Sequence, residues 1–361
     1  MVFDVLIAGA GPAGCAAAIR AATRGLHVAL IEKAAFPRDL PGEALHPDVD
    51  LLFAELGVTE AIAASEFVRN PGWIRESSSE RSFIPFWGPS GLQFGYQAWR
   101  STLDCLLLNE ARRVGVTVVQ PASIGKVLLG VDRTARLEVD GATWFCRYII
   151  DASGASRWLL RSLHLRIRDF SPRLVARYAY VSGDCALGVI PEFREHASGW
   201  TWLARVRRDC CQCVQLSLNA NAQPPNPPPP FHAARLRGAD VTWRFVPECA
   251  GAGYFLCGDA AAVLDPAASS GVGRALASGL KAADLIVEVT NNKMDSGTAV
   301  ADYRQWCANQ FLDQARQLAA RYAELEEPPL WLQGLVRQFA ELEEFLSNPL
   351  ANAEDSVITS S

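Results

Sequence analysis

The sequence predicts an α/β fold: a doubly wound, mostly parallel sheet interwoven with a smaller, mostly antiparallel β-sheet and followed by C-terminal helices. Three observations carry this expectation. An apolar strand, a GxGxxG turn and an Ala-rich segment open the chain in that order. Residues 66–97 and 166–222 have the texture of strands and turns, with aromatic and apolar residues punctuated by Ser, Gly and Pro. The last part of the chain returns to helical spacing of its apolar residues.

Val2-Phe3-Asp4-Val5-Leu6-Ile7-Ala8 reads as a buried strand running into Gly9-Ala10-Gly11-Pro12-Ala13-Gly14 and then a helix from Cys15 to Arg24. Gly9 permits the tight turn, Gly11 lets backbone approach phosphates, and Gly14 lets the helix pack closely on the strand, while the helix amino end attracts negative charge. A second strand, Val28-Ala29-Leu30-Ile31, ends at Glu32 and Lys33. That is close to the ~20-residue offset at which an acid accepts hydrogen bonds from an adenosine ribose. Together these residues form a site for a dinucleotide pyrophosphate; a purely structural glycine turn is the competing reading.

Farther along, the spacing predicts a helix from Pro47 to Leu56, stopped by Gly57, and another from Trp99 to Val114. Val116–Val119 reads as a strand, and Leu137–Val139 and Trp144–Ile150 flank the hairpin signal Asp140-Gly141, the second delivering Asp151-Ala152-Ser153-Gly154. Arg173 to Leu218 reads as antiparallel strands broken at Gly199-Trp200-Thr201-Trp202. The prolines of 223–230 cannot donate to a sheet and favour polyproline II, so this stretch is expected as an exposed stiff connector, with an SH3-type ligand as the alternative. Val241–Val246 and Gly253–Cys257 read as further strands. In the terminal helix, Leu332, Leu335, Val336, Phe339, Leu342 and Leu346 are expected on one packed face, opposite Glu341, Glu343 and Glu344. The expected division is 1–65, 98–165 and 240–290 for a discontinuous nucleotide-binding domain, 66–97 and 166–222 for a substrate domain, 223–230 for the connector and 291–361 for a helical region.

Composition narrows the function classes. The chain has 361 residues, half of them apolar, enough for a large core. A formal charge of -5 gives no global attraction to nucleic acid. No apolar run approaches the ~18 residues of a membrane span, and the chain opens on its first strand without a basic leader. The expectation is a soluble, cytoplasmic protein with no nucleic-acid partner. Arg157, Arg161, Arg166, Arg168, Arg173 and Arg177 face a single acid, Asp169, and read either as a solvated face or as a docking surface for a phosphate-bearing coenzyme or acidic partner. Ten scattered cysteines look like reduced, buried thiols. Cys210-Cys211-Gln212-Cys213 fits alternation in an apolar strand, with a metal or redox role as the alternative, and no metal site is expected.

Three separated segments then fit one family: the GxGxxG turn with Glu32, the Asp151-Ala152-Ser153-Gly154 segment, and Gly258-Asp259-Ala260-Ala261-Ala262-Val263-Leu264-Asp265-Pro266 followed by Ser269-Ser270-Gly271-Val272-Gly273. Together they resemble FAD-dependent oxidoreductases of the p-hydroxybenzoate hydroxylase fold over about residues 1–290. The resemblance is nearest to the branch holding tryptophan halogenases, geranylgeranyl reductases and the flavoprotein maturases of lysine- or glycine-oxidase type. It implies a Rossmann-like FAD-binding domain in which Gly9, Ala10, Gly11, Pro12, Ala13, Gly14, Glu32, Lys33, Glu43, Arg100, Asp259, Pro266, Gly271, Val272 and Gly273 bind the cofactor. Asp259 would hold ribityl hydroxyls, Arg100 the FAD phosphates or ribose, and the turn at Gly271 would aim N–H groups at the flavin pyrimidine edge. Gly42-Glu43-Ala44-Leu45-His46-Pro47 resembles the halogenase Gly-Glu-Ser-Leu-x-Pro loop, making Glu43 and His46 candidate catalytic residues; structural polar contacts are the competing reading for Glu43 and Arg100.

Two departures argue against halogenation at this level. Phe67-Val68-Arg69-Asn70-Pro71-Gly72 offers Asn70 where halogenases carry a catalytic lysine, and an amide cannot capture hypohalous acid as an amine does. The halogenase Trp-x-Trp-x-Ile-Pro signature is half present, since Trp200-Thr201-Trp202-Leu203 continues with Ala204-Arg205. The expectation is therefore an FAD-dependent monooxygenase or related oxidoreductase acting on an aromatic group, such as a tryptophan of a precursor protein during quinone-cofactor maturation. The resemblance implies NAD(P)H binding transiently as reductant, or a partner reductase. Trp87, Tyr96, Trp200 and Trp202 are candidates for a dry cavity wall, or for core packing. A prenyl reductase and a flavin-binding assembly factor without turnover are the rival readings.

Overall fold

In a computed structural model, which describes residues 1–89, 91–130, 134–183, 187–219 and 224–347, the opening strand Val2–Ala8 lies inside an eight-stranded sheet. Its neighbours are Val28–Ile31 on one side and Ala142–Asp151 on the other, both parallel, with Val5 opposite Val28 and Tyr148. Thr117–Val119 extends the sheet past Val28–Ile31, and Tyr254–Leu256 pairs in parallel with the end of Ala142–Asp151. Strands covered on both faces read as continuous apolar runs, which is why this part of the chain lacks alternation. The carboxyl ends at Ala8, Ile31, Asp151 and Leu256 stand in register, so the turns that follow them leave the sheet together. That edge is where an open α/β sheet binds its ligand. The hairpin at Asp140-Gly141 is present, both residues having positive φ.

Two helices of small residues meet over this sheet. Pro12–Thr23 packs against Gly271–Thr290, and the approach is so close that a Cβ at Gly279 would lie 2.2 Å from the Ala13 carbonyl oxygen. The next helix, Ser296–Ala323, is capped by Asp295, whose carboxylate accepts Gly297 N–H at 2.9 Å and Thr298 N–H at 3.0 Å. Tyr303, Phe311 and Tyr322 on this helix are fully buried.

The second, seven-stranded sheet runs in the order Arg237–Asp240, Val175–Ser182, Cys210–Ser217, Gly199–Arg207, Glu192–His196, Gly72–Glu76, Arg81–Pro85. All its pairs are antiparallel except Glu192–His196 with Gly72–Glu76. In this register Tyr180 lies directly opposite Gln212.

Several expectations are corrected. Gly199-Trp200-Thr201-Trp202 does not break a strand. It begins one, because glycine there lets two backbones close up, a Cβ at Gly199 falling 2.1 Å from the Leu216 carbonyl oxygen. The strand read at Val241–Val246 is displaced: Arg237–Asp240 and Arg244–Phe245 are the strands, and Asp240 ends the first by accepting from Thr242 N–H, Thr242 Oγ1 and Arg244 Nη2. Val336 is 80% exposed and off the expected face, whereas Leu335, Phe339 and Leu342 are buried and Leu332 and Leu346 pack half-buried against the core. Cys210 and Cys213 are buried free thiols, whereas Cys211 is disulfide-bonded. Gln223 and the tail beyond Ser347 lie outside the described residues, while Pro224–Pro228 forms neither helix nor strand and is tied to the second sheet by Gln215 Nε2 donating to Pro225 O at 3.0 Å. Among the described residues no helix is long and apolar enough to cross a membrane.

The helix–helix contact yields a prediction with a definite sign. Glycine to alanine normally favours a helix interior by about 1 kcal/mol, but at Gly279 the added methyl meets backbone. Gly279→Ala is expected to lose about 1–3 kcal/mol of stability instead, read by urea denaturation.

Candidate functional site

The edge where the parallel strands end gathers the first group of expected residues. Gly9 has φ +102°, and a Cβ there would lie 2.5 Å from the Ala152 carbonyl oxygen; a Cβ at Gly14 would lie 1.8 Å from that of Gly9. The turn is thus closed to any side chain at these positions. Gly11 precedes the helix Pro12–Thr23 without a side-chain cap, which leaves the amino-terminal N–H groups for a ligand. Ala10 N–H donates to Glu32 Oε2 at 2.9 Å, fixing the acid at the mouth of the turn. Lys33 is exposed beside it.

Charges alternate across this mouth. Arg38 Nη1 lies 3.0 Å from Glu32 Oε2, and its Nη2 lies 3.7 Å from Asp104 Oδ2. Arg100 holds the same Asp104 by donating from Nε at 3.0 Å and Nη2 at 3.1 Å, and its Nη1 donates to Pro41 O at 3.0 Å. Burial alone would lower the Arg100 pKa, but Asp104 overcomes it and keeps the guanidinium above its ordinary value. Arg38 was missed in the sequence; it follows Glu32 within a short loop, and only the fold turns it back over Gly11, whose Cβ position lies 3.4 Å from Arg38 Nη2. A glycine cradle, a free helix amino end, a carboxylate at the end of the second strand and two cations fit an adenine dinucleotide such as FAD.

A second group lies where the loop before Ala44–Leu45 meets the second sheet. Glu43 is 1% exposed. Its Oε1 accepts Tyr180 OH at 2.6 Å, and its Oε2 accepts Gln212 Nε2 at 2.7 Å and Gly42 N–H at 2.9 Å. Burial pushes the Glu43 carboxyl above its ordinary range, against the opposing effect of Tyr180 and Gly42. Burial, then the neighbouring Glu43, likewise drives the Tyr180 phenol well up. Tyr180 and Gln212 carry no local motif; strand register alone places them opposite one another. His46 is not brought into this cluster. Backbone alternation turns it outward, where it pairs with Asp48 at 3.0 Å and sits edge-on to Phe86.

The late motif supplies the far wall. Asp259 is exposed at the same edge, Pro266 and Gly271 are exposed, and Val272 is buried. Asp265 is buried: its Oδ2 accepts Trp243 Nε1 at 2.7 Å and its Oδ1 accepts Tyr322 OH at 2.7 Å, which pins the turn before Gly271. Trp200 donates to Tyr322 OH at 3.1 Å, so this member of the half signature braces the turn from the core. Tyr96 is also core, its hydroxyl donating to Asp50. Trp87 is 71% exposed and walls no dry cavity. Asn70 is buried, its Nδ2 donating to Gly72 O at 3.0 Å while Oδ1 and, on the second sheet, Trp202 Nε1 are buried without partners. Of the arginine run, Arg166 pairs with Glu248. Among the described residues no group of three or more His, Cys, Asp or Glu is placed to hold a metal.

Comparison with known proteins sets this geometry in context. A family model described as FAD dependent oxidoreductase matches residues 4–159. A tryptophan 2-halogenase of Chondromyces crocatus is 30% identical over 88% of this chain and 67% of its own length. A 1H-pyrrole-2-carbonyl-[peptidyl-carrier protein] brominase of Pseudoalteromonas luteoviolacea (strain 2ta16) is 27% identical over 84% of this chain and 82% of its own. The solved structure of CmlS, a flavin-dependent halogenase, superposes with a TM-score of 0.80 at 23% identity, covering 96% of this chain and 72% of that one. The chain is thus an enzyme, an FAD-dependent oxidoreductase. These relatives overturn the inference drawn from Asn70 and the half signature: the monooxygenase reading, its prenyl-reductase and assembly-factor rivals and the exclusion of halogenation all give way. They do not place the chain in the maturase branch.

Two measurements check the site. Arg38→Met is expected to weaken FAD binding about tenfold, ~1.4 kcal/mol, in a fluorescence-quenching titration of the apoprotein. Tyr180→Phe removes a hydrogen bond to a carboxylate and is expected to cost about 1.5–3 kcal/mol. Because the folded pKa of Glu43 is raised, ionising it lowers stability as pH rises from the unfolded toward the folded value, and the Tyr180 hydroxyl offsets part of that loss. The cost of Tyr180→Phe should therefore grow from acid to neutral pH in urea denaturation, and a pH-independent cost would contradict the assignment.

Proposed function

The chain belongs to the flavin-dependent halogenases, a family of FAD-dependent oxidoreductases, and on that premise we propose that it oxidises a halide and installs it on an electron-rich aromatic acceptor. Likeness to halogenases across most of the chain carries the reading. When bound, FAD would supply the two electrons needed for dioxygen to oxidise the halide, with water as the other product, and NAD(P)H or a separate reductase would return them. The cradle at Gly9–Gly14, with Glu32, Arg38, Arg100 and Asp259, would hold the cofactor. Buried Glu43 is assigned the proton released when halogen replaces hydrogen on the ring, with Tyr180 and Gln212 fixing both carboxylate oxygens.

Asn70 shapes the reading further. A carboxamide forms no haloamine, so the halogen has no amine carrier at this position, and the acceptor must be a ring reactive enough to be attacked directly. Pyrroles, indoles and phenols meet that condition, free or, as the brominase relative's name states for its own substrate, borne on a carrier protein. The proposed setting is the cytoplasm, where reduced nicotinamide is at hand.

The test is incubation of FAD-loaded protein with a flavin reductase, NADH and bromide, offering indole, phenol and a carrier-borne pyrrole. A product carrying the paired bromine isotopes in mass spectrometry is expected, with bromide used in preference to the harder-to-oxidise chloride. Oxygenated product, or rapid flavin turnover with every acceptor unchanged, would sink the reading.

A further inference from the structure

Three buried polar atoms without partners lie where a small sheet meets the second one. The small sheet orders Ala44–Leu45, Gly95–Gln97 and Val68–Asn70, with Ala44 and Val68 both opposite Gln97 and Asn70 opposite Gly95. Residues directly opposite, and residues two apart along a strand, share a face, so the side chains of Asn70 and Gln97 leave the sheet on the same side. Each is 2% exposed. Asn70 Nδ2 is committed to Gly72 O at 3.0 Å, which fixes Oδ1 as the free end, and among the described residues neither Asn70 Oδ1 nor Gln97 Oε1 finds a donor. The opposite face carries Tyr96, whose hydroxyl donates to Asp50 and whose ring lies edge-on to Phe53, so that side belongs to the core.

Across from them runs the strand Gly199–Arg207, which packs against both Val68–Asn70 and Gly95–Gln97. Its Ala204 stands opposite Gln212, so Trp202, two residues earlier, shares the face from which Gln212 reaches Glu43. Glu43 is itself joined to the small sheet, its backbone carbonyl oxygen accepting Ala98 N–H at 2.7 Å. Trp202 Nε1 is buried with no acceptor among the described residues. Two acceptors and one donor are thus left over beside the carboxylate assigned the ring proton, and a buried polar atom without a bond is destabilising until something completes it. All three groups are neutral, so their complement is neutral too. We infer that Asn70, Gln97 and Trp202 form the recognition edge of the acceptor pocket, taking a ring that presents two N–H donors and one carbonyl oxygen along one side, as an N–H heteroaromatic bearing a carboxamide does. A phenol supplies a single donor and completes them only in part. Naming that ligand as the acceptor of halogen rests on the reading above; the recognition edge does not.

The experiment is calorimetric titration of the FAD-loaded chain with pyrrole-2-carboxamide, 1-methylpyrrole-2-carboxamide and methyl pyrrole-2-carboxylate, paired with NMR of the indole N–H groups in protein labelled with nitrogen-15 tryptophan. Trp202→Phe identifies the Trp202 signal. Saturable binding of pyrrole-2-carboxamide is expected, with the two analogues, which lack the ring donor and the amide donor respectively, bound about tenfold or more weakly because a buried acceptor is left unpaired. The Trp202 N–H signal is expected to move downfield as the carboxamide binds. Asn70→Leu should weaken the carboxamide about tenfold and weaken far less the one analogue that has already lost the donor facing Asn70, while Gln97→Met should show the converse selectivity. The comparison of ligands on the unmodified chain keeps the test open if a variant does not fold. Equal affinity for all three ligands, no binding of the carboxamide, or a Trp202 signal that stays in place as the carboxamide saturates overturns the inference, because internal water then completes these atoms. Carboxamide bound with this selectivity but never halogenated leaves the edge standing and removes the proposed function; halogenation of ligands regardless of their N–H groups keeps the function and overturns the edge.

Discussion

The close packing of Pro12–Thr23 against Gly271–Thr290 is the constraint on which the rest of the structure depends. One helix begins at the glycine turn Gly9–Gly14 and the other at Gly271, after the late aspartate-bearing turn, far apart in the chain. With Gly279 against the Ala13 carbonyl and Gly258 between Ala13 and Ala275, backbone meets backbone with almost no side chain between. Bulkier residues would push the helices apart, and the two turns would no longer flank one cleft. The Ala- and Gly-rich texture of both helices is therefore a packing requirement before it is a binding motif.

Around that cleft the protein buries charge and compensates most of it. Glu32, Arg38, Asp104 and Arg100 alternate in sign, so each desolvated group has an opposite neighbour. Glu43 is treated differently. It receives hydroxyl and N–H donors instead of a cation in contact, which leaves burial as the dominant influence and its carboxyl more basic than usual. Because Tyr180 and Gln212 come from the second sheet and Glu43 from the loop beside the cofactor edge, the same bonds also join the two sheets mechanically. Asp265 makes a comparable junction between the turn before Gly271, Trp243 and Tyr322.

Asn70 is a single position in a chain whose likeness to halogenases is long. An amide in place of an amine says something about how a reactive halogen is carried. It says much less about which family built the surrounding fold, and likeness extending over 88% of the chain outweighs it. Trp200 makes the same point from the other direction. Its place in the half signature is explained by a structural bond to Tyr322.

The sequence by itself determined the parallel sheet, the glycine cradle, Glu32 and the late aspartate-bearing turn, because each depends on residues adjacent in the chain with tight local requirements on φ, capping or strand burial. It also marked Glu43 and Arg100, though through resemblance and not through any local rule. Tertiary structure alone decided that Arg38 folds back over Gly11 and that Tyr180 and Gln212 grip Glu43 while His46 turns away. Those outcomes depend on register and on contacts between distant segments, which no short stretch of sequence encodes. The misread strand at Val241–Val246 belongs with them: Asp240 turned the chain out of the sheet through side-chain bonds to Thr242 and Arg244, a local competition that apolar patterning does not register.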